Sequence, residues 1–449
     1  DIRIGLGQDV QAKADADFLD SKFGSNRKYQ KLAAEAYFKV GELYTSTRDW
    51  DEVIRHYEDY LQKYGRKGGK EFEIRATMLV AQAHWSLVDC TWDEDEDRQR
   101  QTRCRQHKTE AFDFATRANG LVDLPRFGDE AAEGESTENV DPAAVLAGRR
   151  EATWNALLTE LAIEVEAEGP AAEAMMAVRA DKVANAIGQA RFYIGEKIYE
   201  QFQAIVWPEF DPEEWDYRGN ACDQFRGAGE YMRMCISMEK YKQWTEKAFV
   251  PFAQRRDDKI KEARAFYDSI AYLQVPAWEI AAASRVGDMF LQFWKDMYNA
   301  PTPPAFRREE FMEVEQAYRE QLDVQAEPIK DHAIEAYGYC LATATREQWF
   351  NEYSDRCEEA LYEIEPSRYR VSNEVYARPS LNRNHFAPPD LDLAIIESSD
   401  EFGEISLPEG VTIVPGAPAI DDQRRYRFFL APPAPPPAPA APPAAADED

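Results

Sequence analysis

A helical period runs almost unbroken from Arg27 to Ile364, and it limits the fold of this chain more than any other feature. Apolar residues recur every three to four positions, the spacing that lays one apolar stripe along a helix. Strand alternation is nearly absent there, and a Val/Ile/Thr cluster occurs only near Gly410 to Val414. The period predicts helices over about 27–47, 50–64, 70–88, 106–119, 143–167, 171–206, 214–238, 241–270, 276–298, 308–326, 327–345 and 348–364. Prolines set the interruptions. Trp207-Pro208 and Asp211-Pro212 end a helix because proline lacks the N–H and clashes with the preceding turn. Ala300-Pro301-Thr302-Pro303-Pro304 reads as an extended loop, and Pro328 is expected to kink or split its segment.

The pattern also repeats on a larger scale. In Glu35–Gly65, Tyr37, Val40, Gly41 and Tyr44 share one face of a first helix, and Val53, Tyr57 and Tyr60 share one face of a second. Gly41 lets the two helices approach closely. This hairpin resembles a tetratricopeptide repeat. It departs from that pattern at Val53 and Tyr60, where alanine is usual, and at Gly65, where proline is usual. A second hairpin follows, with Val80, Ala81 and His84 on its first helix and Ala111, Ala115 and Ala118 on its second. A polar insertion, 89–107, lies between them. Farther on, Cys235 to Trp244 aligns with Cys340 to Trp349 at the same spacing, and Ala190–Gly195 parallels Ala283–Gly287 with small offsets. Region 171–364 therefore reads as a duplicated helical unit.

The first hairpin continues into Tyr64-Gly-Arg-Lys-Gly-Gly69, Ile74-Arg-Ala76 and Ala83-His-Trp85. Later come Pro276-Ala-Trp-Glu-Ile-Ala-Ala-Ala283, Arg285-Val-Gly287, Ala333-Ile-Glu-Ala336, Phe350-Asn-Glu352 and Pro366-Ser-Arg-Tyr369. Over about 30–375 this ordered series resembles the large tetratricopeptide proteins of myxobacteria and related deltaproteobacteria, including those linked to adventurous gliding motility. The resemblance implies an envelope-associated, periplasmic scaffold that meets the membrane only through a lipid anchor or a partner.

The expected fold is all-α: a tetratricopeptide-like α-solenoid of antiparallel helical hairpins, with extended acidic and Pro/Ala-rich C-terminal segments. The expected order is an N-terminal extension 1–26, hairpins 27–126, an acidic linker 127–148, the duplicated unit 149–375, an acidic arm 376–430 and a Pro/Ala-rich tail 431–449. Ala431–Ala446 contains only proline and alanine, which favours polyproline II at roughly 3.1 Å per residue.

Charge narrows the partners. The 449 residues carry a formal net charge of −30. So acidic a chain does not bind a phosphate backbone through its overall field, and anionic lipid repels it. No run of 18 apolar residues occurs, so no segment is expected to span a bilayer. The chain opens on Asp1 and not Met, so it reads as processed or partial. The acidity is uneven: 127–148, 384–423 and 428–449 together hold −18 over 84 residues, and the other 365 hold −12. A basic protein partner would be met by the arm after residue 384.

Six cysteines are present. Cys340 and Cys357 fall side by side if the helices turn near Glu347–Trp349, where they form a disulfide or remain two buried thiols. Cys90 and Cys104 bracket the insertion with the same alternatives. Cys222 and Cys235 on one continuous helix would lie about 20 Å apart, too far to bridge unless Gly227–Gly229 breaks it. A zinc set of His84, Cys90, Cys104 and His107 is disfavoured, since the first pair is too widely spaced for a structural site. Asp93–Asp97 lacks the glycine turn and distal glutamate of a calcium loop.

No nucleophile-elbow, phosphate-loop or paired-histidine metal motif occurs. The sequence therefore predicts neither a catalytic residue nor a cofactor nor a metal. Most of its aromatic residues are expected in helix packing. Trp50, Trp244 and Trp349 are candidates for partner anchors on the surface of a repeat array. The expected function is a non-enzymatic scaffold or adaptor of the bacterial envelope that holds protein partners or peptide segments. The alternative is a self-associating subunit of a multi-copy assembly, with segment 391–420 of its arm contacting neighbours.

Overall fold

The stripes read from the sequence form helices in a computed structural model that describes residues 9–88, 98–127, 142–163, 169–303, 306–307 and 312–369. Among these residues all regular structure is helical and no strand occurs, so the fold is all-α. The chain divides into two compact units, Asp1–Cys340 and Leu341–Asp449. The insertion core 89–97, the linker core 128–141, the acidic segment 384–423 with its arm 391–420, and the Pro/Ala run lie outside the described residues.

The first unit opens with α1 (Asp9–Phe23), α2 (Gln30–Thr47) and α3 (Trp50–Lys63). Helix α1 falls in the expected N-terminal extension. Its charged sequence shows little apolar stripe, and it is held by Ala16 and by a Tyr64–Asp20 hydrogen bond. Asp49 starts α3: its carboxylate accepts from the Glu52 amide, and Asp51 and Glu52 fill the positive first turn. The α2–α3 turn closes on Arg48 in the left-handed region at φ 57°. Helices α4 (Lys70–Ser86) and α5 (Arg98–Gly120) make the second hairpin, with Ala111, Ala115 and Ala118 fully buried. Helix α5 begins inside the expected insertion.

Helix α6 (Pro142–Leu161) precedes the long α7 (Pro170–Gln203), which stops before Trp207-Pro208 as the proline chemistry requires. Next come α8 (Gly229–Trp244), α9 (Val250–Ile270), α10 (Pro276–Tyr298) and α11 (Met312–Arg346). A single π-helical turn, Thr245–Phe249, joins α8 to α9. Pro170, Pro251 and Pro276 all stand in first turns, where the missing N–H has no intrahelical role. Helix α11 continues through Pro328 instead of splitting there.

The expected helix over 214–238 is corrected. Residues 204–228 form turns and one short 3-10 segment, and the helix starts at Gly229. Gly227, at φ 89°, supplies the break. The chain therefore doubles back, and Cys222 and Cys235 form a disulfide with Cα atoms 5.7 Å apart. The continuous-helix geometry that kept them as separate thiols does not exist.

Packing follows chain order. Helices α2, α4, α7 and α10 touch in succession, and α3, α5 and α9 pack between them. One device recurs at three of these hairpins. A Cβ on Gly41 would lie 2.4 Å from the Tyr57 ring, on Gly195 2.2 Å from Tyr267, and on Gly287 2.5 Å from Tyr337. Each glycine lets a tyrosine from the partner helix lie flat against its backbone. An acidic residue follows each glycine. Tyr267 donates to Glu196 at 2.9 Å and Tyr337 to Asp288 at 2.8 Å, while Tyr57 donates to the Phe38 carbonyl. Arginines of the following first helix then reach back: Arg75 to Glu42 at 2.9 Å and Arg285 to Glu196 at 2.8 Å.

By this register Gly287 matches Gly195 and Tyr337 matches Tyr267. The alignment of Ala190–Gly195 with Ala283–Gly287 thus brings equivalent glycines together. Cys340 falls opposite Ile270 and not Cys235, because α8 is an excursion between α7 and α9.

Helix α6 is an added brace. Arg150 donates to the Ala271 carbonyl and to Glu279, and Arg149 donates to Tyr272. At its other end Glu160 pairs with Lys70.

In the second unit the described part is the last turns of α11 and α12 (Glu352–Ile364). The turn between them passes through Gln348 at φ 53°. A capping box starts α12: Asn351 accepts from the Ser354 amide, and Ser354 Oγ accepts from the Asn351 amide.

Candidate functional site

Successive first helices leave their outward faces side by side. On α4 the positions one turn apart are Arg75, Met78/Leu79 and Gln82. On α7 they are Lys182, Asn185/Ala186 and Gln189. With Glu42, Thr45 and Ser46 of α2 they line an open groove of about 390 Å³. Met78 and Ala186 give it a buried apolar floor, and its walls are polar.

The wall charges are held in place. Arg75 pairs with Glu42 at 2.9 Å and lies 4.7 Å over the Phe38 ring. Glu71, 3 % exposed, ties Arg75 to Arg179, which pairs with it at 2.6 Å. Lys182 is exposed and has no ion pair among the described residues. The Asn185 carbonyl accepts from Trp278 Nε1 at 3.0 Å, which leaves its amide N–H groups for the groove. Met175 and Val178 extend the same face of α7 and are 51 % and 57 % exposed. The groove thus offers an apolar floor, a fixed acid–base pair, one unpaired ammonium and amide donors.

A second groove, of about 370 Å³, runs along α10 between α9 and α11. Its floor is small and apolar: Ala271, Ala282, Ala283 and Val286. Tyr272 and Tyr339 stand at one end, Phe290 and His332 at the other.

The candidate anchor tryptophans separate. Trp50 is half-buried against the first-hairpin core. Trp244 is 1 % exposed, enclosed by Trp207, Phe210, Tyr241 and Phe249, so as a surface anchor it is corrected to a core residue. Trp349, in the second unit, is 51 % exposed beside the exposed Phe350. The groove residues were missed because polar positions on an amphipathic helix look alike from sequence. The usable signal was their recurrence at i, i+3 and i+7 on consecutive first helices.

Cys104, Cys340 and Cys357 are each disulfide-bonded, and no described cysteine is free; Cys90 lies outside the described residues. Nδ1 of His84 and Nδ1 of His107 are hydrogen-bonded at 2.9 Å. Burial, with His107 adding to it, lowers the His84 pKa to about 4. Among the described residues no group of three or more His, Cys, Asp or Glu side chains is placed to hold a metal. Nor is any described helix long and apolar enough to cross a membrane.

Comparison with protein-family models, with curated proteins and with solved structures finds no match.

Proposed function

We propose that this protein is a non-enzymatic scaffold built as a tetratricopeptide-like solenoid, which holds extended peptide segments of partner proteins in the groove across α2, α4 and α7. The observation that carries the reading is that groove: three successive first helices present polar side chains over an apolar floor. The recurring glycine–tyrosine contact supports the repeat architecture, since arrays of like hairpins expose long continuous surfaces. The bonded cysteines support an oxidising compartment, and with it the periplasm or cell envelope. A place in a motility machine rests on the resemblance of the sequence alone.

Selection of random peptides on the purified full chain tests the reading. A related peptide set should be enriched by the native protein and lost on the groove-filled variant Gln82→Trp/Lys182→Glu. Equal enrichment on both proteins, or none on either, counts against it.

A further inference from the structure

We infer that the groove across α2, α4 and α7 selects a segment carrying an aspartate or glutamate side chain, and that Trp278, which does not line the groove, sets this preference by fixing the Asn185 amide. The inference rests on the peptide-binding reading of that groove. An indole Nε1 only donates, so its 3.0 Å bond to Asn185 ends on the carbonyl Oδ1, and the amide keeps its N–H groups for the groove. Trp278 is itself held. It packs 5.4 Å from Phe192 and 6.4 Å from Tyr193, and it covers Gly188, where a Cβ would stand 3.3 Å from the indole.

The two facing walls differ in hydrogen-bonding sense. On α7, Lys182 and Asn185 present donors about 4.5 Å apart along the axis. On α2, Thr45 Oγ1 donates to the Gly41 carbonyl at 3.1 Å and Ser46 Oγ to the Leu43 carbonyl at 2.7 Å. Both hydroxyls have spent their proton and can only accept from a ligand. Glu42 adds a carboxylate to the same wall. A side chain that only accepts therefore fits α7 and is turned away from α2. Charge agrees. Among the charged residues lining the groove, Glu42 and Arg75 pair, and Lys182 is left over. Glu71 is shared between Arg75 and Arg179. The net charge of −30 acts at long range and is screened beyond about 8 Å at physiological ionic strength, whereas Lys182 acts at contact.

The test takes a C-terminally amidated peptide selected on the full-length chain and a copy with its carboxylate side chain replaced by the amide. The amidated end makes any preference for acid a side-chain preference. By fluorescence anisotropy the acidic peptide should bind the native chain at least about fivefold tighter than its neutral copy. Trp278→Phe keeps a ring over Gly188 and removes the indole N–H. It should reduce that ratio about threefold, and should leave it unchanged in the Asn185→Ala background, where a merely structural role of Trp278 would still show. A selected set with no acidic position, equal binding of the two peptides, a ratio untouched by Trp278→Phe, or a loss that persists with Asn185→Ala overturns the inference while the groove keeps its peptide. A native chain that enriches no peptide overturns the peptide reading and this inference with it.

Discussion

A hydrogen in place of a methyl group decides how close two helices come in this molecule. Gly287→Ala would put a Cβ 2.5 Å from the Tyr337 ring, so the helices must part; the expected loss is about 1–3 kcal/mol. Gly338 is one residue from that tyrosine in sequence, yet a Cβ there meets nothing within 4 Å. Gly338→Ala should therefore stabilise by roughly 0.5–1 kcal/mol through helix propensity. Urea unfolding of the two variants checks the contrast. His84 adds a pH dependence. Its folded pKa of about 4 lies below the ordinary 6.5, so the unfolded chain takes the proton first on acidification. The stability tied to its neutral form is full above pH 6.5 and is lost as pH falls towards 4, by about 3 kcal/mol. In His84→Leu the part of the pH–stability slope due to this group should vanish, as thermal melts between pH 7 and 4 would record.

Single elements depend on contacts that their own sequence does not announce. Helix α6 carries a mixed surface, and Arg150 places it by bonding Glu279, which is 2 % exposed. Arg150→Ala leaves that carboxylate with Tyr339 but without its cation, at a cost of about 3 kcal/mol. Hydrogen exchange should quicken in α6 before it does in α4. The segment 204–228 has little regular structure and is tied by Cys222–Cys235. Reduction should remove roughly 3 kcal/mol of restraint for a loop of this size and open 204–228 to protease while α7 stays resistant.

Helices α2–α4 and α10 lie within a few residues of the spans read from their apolar stripes, whereas the expected span 241–270 holds the end of α8, the π-helical turn and α9, which begins only at Val250. Residues 214–228 misled because their aromatics and charges mimic a helical period, while Gly227 at φ 89° breaks it ahead of α8. At Pro328 the expected split is absent, since α11 runs from Met312 to Arg346 through it.

At the scale of the whole molecule the all-α fold was legible from the helical period among the described residues. The grooves were not legible. A groove arises from the register between helices far apart in sequence, and no single helix carries it. Trp244 shows the same limit, since its burial depends on Trp207 and Phe210 from the turn region.

The central claim is that the α2–α4–α7 groove binds peptide. Fluorescence anisotropy of a selected peptide against the native chain and against Gln82→Trp/Lys182→Glu tests it most directly. The Kd of the variant should rise at least tenfold, about 1.4 kcal/mol, with melting unchanged. Equal affinity for both proteins would contradict it.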